Sequence, residues 1–235
     1  MFKSPLAWII LAVVQLLLAI FFLILLSQFM NPAPWMTGRG ITEMIVAGLL
    51  QVTGIVLLMV TPFITMRLFT EERATGTIKL LFSSPVSITE LVLGKFLGTL
   101  YFLLIMLFMI ALMPLSLYMG TTLDSGQLCS GLFGLLLLMS SFAAIGMFVS
   151  TLTNQITIAA ITTFGILFML WILNLAVNTG SEITTAIMSY LSLLNHYNNL
   201  INGVFNSTDV CYYLIVITVF IVLSIWRLDG DRLHQ

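Results

Sequence analysis

Ser150-Thr151-Leu152-Thr153-Asn154-Gln155 is the polar centre of a long stretch, Ser125 to Ser181, that holds no Asp, Glu, Lys or Arg. Crossing the hydrocarbon core of a bilayer takes about 20 apolar residues. The stretch is far too long for one crossing, and the hydroxyls and amides at its centre read as a tight turn. It therefore predicts two helices, 128–150 and 156–177, lying back to back.

Working outward, the remaining charges mark off further intervals of similar length. Downstream, the apolar run from Val210 to Trp226 is stopped by Arg227, giving a span over 210–227. Upstream, the interval between Lys95 and Asp124 accommodates a span placed at 91–119, and that between Glu43 and Arg67 a span at 44–66. The latter contains Pro62, which a membrane helix tolerates when neighbours satisfy the freed carbonyl. The first interval is apolar over 6–30 and ends at Asn31-Pro32-Ala33-Pro34. A signal peptide is the alternative there, but the run exceeds the roughly 7–15 residues of a signal core and lacks small cleavage-site residues. The expectation is six transmembrane helices in an all-α polytopic protein.

Composition agrees. Of 235 residues, 60% are hydrophobic and 7% charged, against about 25% charged in soluble domains. The net charge of −1 offers no basic face to phosphates and excludes nucleic acid as a partner. Cys129 and Cys211 lie in or beside apolar runs and read as membrane thiols rather than a disulfide framework; the fourteen methionines are scattered singly, as packing filler.

Six spans place both termini on one side. Basic residues near helix ends favour the cytoplasm, and termini inside puts Lys3, Arg67, Arg73, Lys79, Lys95, Arg227 and Arg232 there, leaving Arg39 outside. The internal segments are then 67–95 and the turn near 151–155; the external ones are 31–43, 120–126 and 178–209.

Segment 67–95 carries half of the basic residues: Arg67, Arg73, Lys79 and Lys95. Thr70 followed by Glu71 and Glu72 suits a helix start, with a capping hydroxyl and acids in the first turn. Ile78, Leu81 and Phe82 fall on one face at helical spacing, and Pro85 ends the helix, so an amphipathic helix is predicted over 70–83. A second start follows at Ser87 or Thr89 with Glu90. Such a helix either rests on lipid headgroups or docks in a groove on a cytoplasmic partner.

The run Glu72-Arg73-Ala74-Thr75-Gly76-Thr77-Ile78-Lys79-Leu80-Leu81-Phe82-Ser83-Ser84-Pro85-Val86-Ser87, followed by Gly94-Lys95-Phe96, resembles the signature of ABC-2 type permeases. These carry Glu-(Lys/Arg)-x-x-Gly-Thr-(Leu/Ile)-x-x-Leu-x-(Ser/Thr)-x-Pro-(Val/Leu)-Ser in a coupling helix between spans two and three. Further on, Leu194-Asn195-His196-Tyr197, Ile201-Asn202-Gly203-Val204, Thr208-Asp209-Val210 and Tyr212-Tyr213 are similar to the branch serving gliding motility and nitrous-oxide-reductase maturation. The resemblance covers nearly the whole chain. It implies that Glu71, Arg73, Gly76 and Thr77 face an ATP-binding subunit, with Ile78, Leu81 and Phe82 as apolar contacts. It implies short external helices over 182–205, where Asn195, His196, Tyr197 and Gly203 serve as gate or packing positions. It also implies a paired second permease subunit across a seam of the first and fifth spans, and a stroke transmitted to spans one, two and five. It further implies a setting in the bacterial inner membrane.

No Gly-x-x-x-x-Gly-Lys-(Ser/Thr) occurs; Gly94-Lys95 is followed by Phe96, which offers no hydroxyl for magnesium. ATP and magnesium are expected in the partner subunit, and no cofactor, metal or catalytic residue in this chain. His-Glu-x-x-His and Gly-x-Ser-x-Gly are also absent. The spans hold no evident intramembrane Asp, Glu, Lys or Arg of the kind ion-coupled transporters use. Their few polar residues, Gln15, Gln51, Thr53, Asn154, Thr162, Thr163 and Asn174, read as hydrogen bonds between helices. Gly94 and Gly98 on the third span, with Gly131, Gly134, Ala143, Ala144 and Gly146 on the fourth, predict close packing of those two helices. Asp209 is expected to cap or precede the sixth span. The functional expectation is the permease half of an ATP-driven exporter. Its rivals are a transmission device that pulls on an external protein without moving a substrate, and a passive channel or scaffold.

Overall fold

The computed structural model describes residues 5–30, 40–78, 87–176 and 192–233, and every regular element among them is helical. In order these are α1 (Pro5–Met30); α2 (Gly48–Thr65), entered through a π-helical turn (Thr42–Ala47); α3 (Thr70–Ala74); α4 (Ile88–Ser116), closed by a 3₁₀ turn (Leu117–Met119); α5 (Ser125–Leu152); α6 (Ile156–Ala176); α7 (Leu193–Ile201); and α8 (Ser207–Leu233). Five helices, α1, α2 with its π turn, α4, α5 and α8, are long and apolar enough to cross a membrane. The sixth, α6, is 21 residues long, though its apolar stretch with described side chains runs only from Ile156 to Ile172. The chain is a multi-pass membrane protein.

Helix α5 is the hub. Leu135, Leu138, Met139, Ala144, Ile145 and Met147, spread round its circumference, are all fully buried, as expected of a helix apolar on every side. Helices α2, α4, α6, α7 and α8 pack on it, and α1 lies outside against α2 and α4. The outer faces carry Leu16, Leu23, Phe63, Leu97, Phe108, Met169, Ile215 and Trp226 in the open, an apolar surface that only lipid or another membrane chain solvates. Cys129 and Cys211 are free thiols on this exposed side.

Glycines decide how closely the hub is approached. A Cβ at Gly134 would lie 2.8 Å from Leu200 Cβ, and one at Gly146 would run into the Thr65 side chain. Close packing of small residues therefore holds for α5, but against α2 and α7. Gly94 and Gly98 on α4 face open space, so the expectation that they seat α4 on α5 is corrected: the pair lies on the outward face with Leu93 and Leu97.

Most hydroxyls within the spans are satisfied inside their own helix. Thr53 donates to Leu49 O, Thr61 to Leu57 O, Ser141 to Leu137 O and Ser224 to Phe220 O, the i−4 bond open to Ser and Thr in helices. Only Gln15 among the predicted interhelical donors bridges two spans, through Met109 O at 3.0 Å. Gln51, Asn154 and Thr162 are exposed, and Thr163 is buried with no hydrogen-bond partner for its hydroxyl among the described residues. The side chain of Asn174 lies outside the described residues.

Two predicted boundaries shift. α8 runs past Arg227 to Leu233, because Arg227 and Asp231 form an i,i+4 pair at 3.6 Å that continues the helix. Its 27 residues span roughly 40 Å at 1.5 Å per residue, more than the roughly 30 Å hydrocarbon core. The helix predicted over 70–83 is interrupted instead: α3 ends at Ala74 and Gly76 turns the chain at φ +72°, a left-handed conformation that glycine adopts without penalty.

Candidate functional site

Two clusters of polar side chains stand at opposite ends of the bundle. The end bearing α3, the start of α4 and the last turn of α8 is here called the clamp end; the other, bearing α7, the plug end.

At the clamp end α2 runs through Thr65 into a turn at Met66–Phe69 and then into α3. Three α3 side chains each grip a different helix. The Thr70 hydroxyl donates to Ser150 O near the end of α5 at 3.2 Å. Glu72 pairs with Lys95 of α4 at 2.5 Å. Arg73 pairs with Asp231 of α8. Lys95 also donates to Leu68 O and stands 4.2 Å from the centre of the buried Phe69 ring. These charged side chains keep between 12% and 28% of their surface exposed, so they are held between protein and water. α4 opens with a capping box: Ser87 Oγ accepts from Glu90 N–H, and Ser87 N–H donates to the Glu90 carboxylate at 3.0 Å.

The opposite edge of this segment is bare. Glu71, Thr75, Gly76 and Thr77 are exposed, with Thr75 and Thr77 hydroxyls 2.9 Å apart and, among the described residues, nothing near the space a Gly76 Cβ would take. Of the residues assigned to docking by resemblance, Glu71, Gly76 and Thr77 thus share an open edge. Arg73 turns inward to Asp231, and Ile78 is buried in the chain's own core at 8% exposure instead of presenting an apolar contact. Leu81 and Phe82 lie outside the described residues, as do Lys79 and the part of the predicted external helices before Ser192.

At the plug end α7 is sunk into the bundle. Ser192 caps it, its hydroxyl accepting from Asn195 N–H at 3.3 Å. Leu193, Leu194, His196, Tyr197, Leu200 and Ile201 are buried. The Tyr197 hydroxyl donates to Leu50 O at 2.8 Å and its ring packs on Gly54, near the middle of the apolar length of α2. Ser130 and Gln127 of α5 donate to Leu200 O and Ile201 O at 2.8 and 3.1 Å, and Tyr213 of α8 to Leu193 O at 2.7 Å. His196 Nδ1 lies 2.6 Å from Asp209 Oδ1, with Asn199 donating to the other carboxylate oxygen at 3.3 Å and the imidazole stacked on Tyr212. Gly203, at φ +80°, turns the chain against Gln127. The four residues expected at this end, Asn195, His196, Tyr197 and Gly203, are brought together on and just after one short helix.

Several partners escaped the sequence. Asp209 neither caps nor precedes α8; it sits in its first turn with its carboxylate buried against His196. Glu72, Lys95 and Tyr213 entered the sequence reading only as motif residues with no partner assigned, and Asp231, Ser130 and Gln127 carried no signal, since a lone charge, hydroxyl or amide beside an apolar run has no distinguishing pattern. Among the described residues no three His, Cys, Asp or Glu side chains converge as a metal site.

No curated protein sequence matches the chain. The model of the ABC-2 family transporter proteins matches residues 3–233. The specific motility and maturation branch has no such support. The chain belongs to the ABC-2 family of transporter proteins.

Proposed function

We propose that the chain is the transmembrane permease subunit of an ATP-binding-cassette exporter, which couples ATP hydrolysis in a separate subunit to movement of a substrate out of the cytoplasm. The observation that carries the reading is the two-sided segment Thr70–Ile78. Its inner side is bonded to α4, α5 and α8, while Glu71, Thr75, Gly76 and Thr77 stay open. A segment bound firmly to several spans, with a bare polar edge, suits the docking of a moving partner. The family match supports the same role.

In this reading the clamp end faces the cytoplasm, in keeping with the basic residues Arg67, Arg73, Lys95, Arg227 and Arg232 at that end, and both termini lie there, in the bacterial inner membrane. ATP and magnesium belong to the partner. Two permease subunits, alike or different, enclose the pathway along α1 and α6, whose exposed Leu16, Leu23, Ile161 and Met169 need a covering of lipid or protein. The test is affinity purification of the full chain from its native membrane in mild detergent, beside a Gly76→Trp variant. Recovery of an ATP-binding subunit with the native chain and its loss with the variant is expected. A native chain that brings down no ATP-binding subunit contradicts the reading. An outer protein recovered with the ATP-binding subunit, and required for ATP turnover, favours the relay that moves no substrate.

A further inference from the structure

We infer that the docking segment drives α8 and α4, through the ion pairs Arg73–Asp231 and Glu72–Lys95, and that α8 delivers the stroke to the plug end. The inference rests on the permease reading and names the route by which that site acts, one different from spans one, two and five.

The connections are specific. α3 has five residues, too few to hold its own place as a helix in water, so its position is set by what it grips. Arg73 grips Asp231, six turns along α8 from Asp209, and Asp209 grips His196 of α7. α8 is one helix from Ser207 to Leu233 without an internal proline, so a shift at Asp231 reappears at Asp209 rather than being absorbed between them. Lys95 gathers the Glu72 carboxylate, Leu68 O and the Phe69 ring, so α4 moves with the same segment. α3 also packs on α5, where Thr70 adds one hydroxyl bond, but α5 carries no charged partner for it and, packed against α2, α4, α6, α7 and α8, is the fixed frame.

The grip is also one that can change. Arg73 Nε is buried and has no hydrogen-bond partner among the described residues. The carboxylate of Asp231 has a second cation, Arg227, at 3.6 Å. When Arg73 is pulled away, Asp231 is not stranded, which lowers the cost of a second arrangement.

The experiment uses the full chain in its native membrane with its co-purifying ATP-binding subunit. A single thiol is placed by Val204→Cys in a Cys129→Ser, Cys211→Ser background. Val204 is 52% exposed and lies just before α8, so its rate of maleimide labelling reports motion at the plug end. ATP with magnesium is expected to change that rate in the otherwise native complex. Arg73→Asp is expected to abolish the change while the ATP-binding subunit still co-purifies and turns over ATP, because Thr70 and Glu72 still hold α3 in place and Glu71 and Thr77 keep their side chains. Adding Asp231→Arg to Arg73→Asp restores the ion pair with its charges exchanged and is expected to restore the change; Arg227, 48% exposed, can turn to water. That rescue separates lost signalling from lost folding. A full ATP-dependent change in Arg73→Asp, an ATP-insensitive position 204 in the native pair, or an exchanged pair that stays silent each overturns the relay alone. Absence of an ATP-binding subunit from the native chain overturns the permease reading, and the relay with it.

Discussion

The clamp end and the plug end both tie short helices to long ones, but with different chemistry. The clamp end uses charges that keep a fraction of their surface in water, Arg73 with Asp231 and Glu72 with Lys95. The plug end uses neutral donors on backbone carbonyls, Tyr197 to Leu50 O, Ser130 to Leu200 O and Tyr213 to Leu193 O, with α7 seated on Gly54 and Gly134. An ion pair that keeps part of its surface in water loses less on parting than a fully buried one, since each charge is partly rehydrated. A buried hydroxyl that leaves its carbonyl costs about 1–3 kcal/mol, because no water replaces it. The clamp end is thus built to shift and the plug end to hold until pushed. The buried His196–Asp209 pair is the exception at the plug end, and it is there that α8 meets α7.

This contrast can be broken by substitution, and the largest effect is expected at the exception. His196→Ala removes the 2.6 Å hydrogen bond to the buried Asp209 side chain, leaving it the 3.3 Å bond from Asn199, and empties the space against Tyr212, at a cost of about 3–5 kcal/mol; thermal unfolding in detergent should show it as the largest single drop. A melting point equal to that of the native chain would mean that the pair is not buried as described. Next comes Gly134→Leu, which forces α5 and α7 apart for about 1–3 kcal/mol, while Gly94→Leu, on the open face of α4, leaves the melting point within experimental scatter. Equal losses at the two glycines would contradict their different surroundings. Tyr197→Phe removes one hydrogen bond and keeps the ring, for about 1 kcal/mol. Smallest is Glu71→Ala, within about 0.5 kcal/mol as at other exposed positions, yet under the proposed function it weakens recovery of the ATP-binding subunit more than any plug-end change does.

How far the sequence revealed this depends on the kind of feature. Span positions were legible because lipid imposes a length and a penalty on charge: the polar turn at Ser150–Gln155 separates α5 from α6, and Pro62 sits inside α2 without breaking it. Local starts were legible in part: Ser87 with Glu90 opens α4, one of the two starts the sequence offers, but Thr70 does not cap α3, since Phe69 holds the cap position without a side-chain bond and the Thr70 hydroxyl goes to Ser150 O instead. Lateral arrangement was not. Nothing in the spacing of Gly94 and Gly98 says whether they face α5 or lipid, since the third span is apolar on nearly every side. The pairing of Arg73 with Asp231 joins residues 158 positions apart and depends on α8 extending past Arg227, where a charge looked like the end of a span. The break at Gly76 was hidden by the apolar stripe of Ile78, Leu81 and Phe82, which suggests one helix although Ile78 belongs to the chain's own core.

The central claim is that the bare edge of the clamp end receives an ATP-binding subunit while the plug end does not. Site-specific photo-crosslinking in the native membrane tests it most directly, with a benzophenone amino acid at Thr77 in one strain and at Val204 in another, both exposed positions. The account predicts that position 77 yields an adduct with a protein carrying a Gly-x-x-x-x-Gly-Lys-(Ser/Thr) motif and that position 204 yields none with it. An ATP-binding subunit captured at position 204, or none at position 77, would contradict the account.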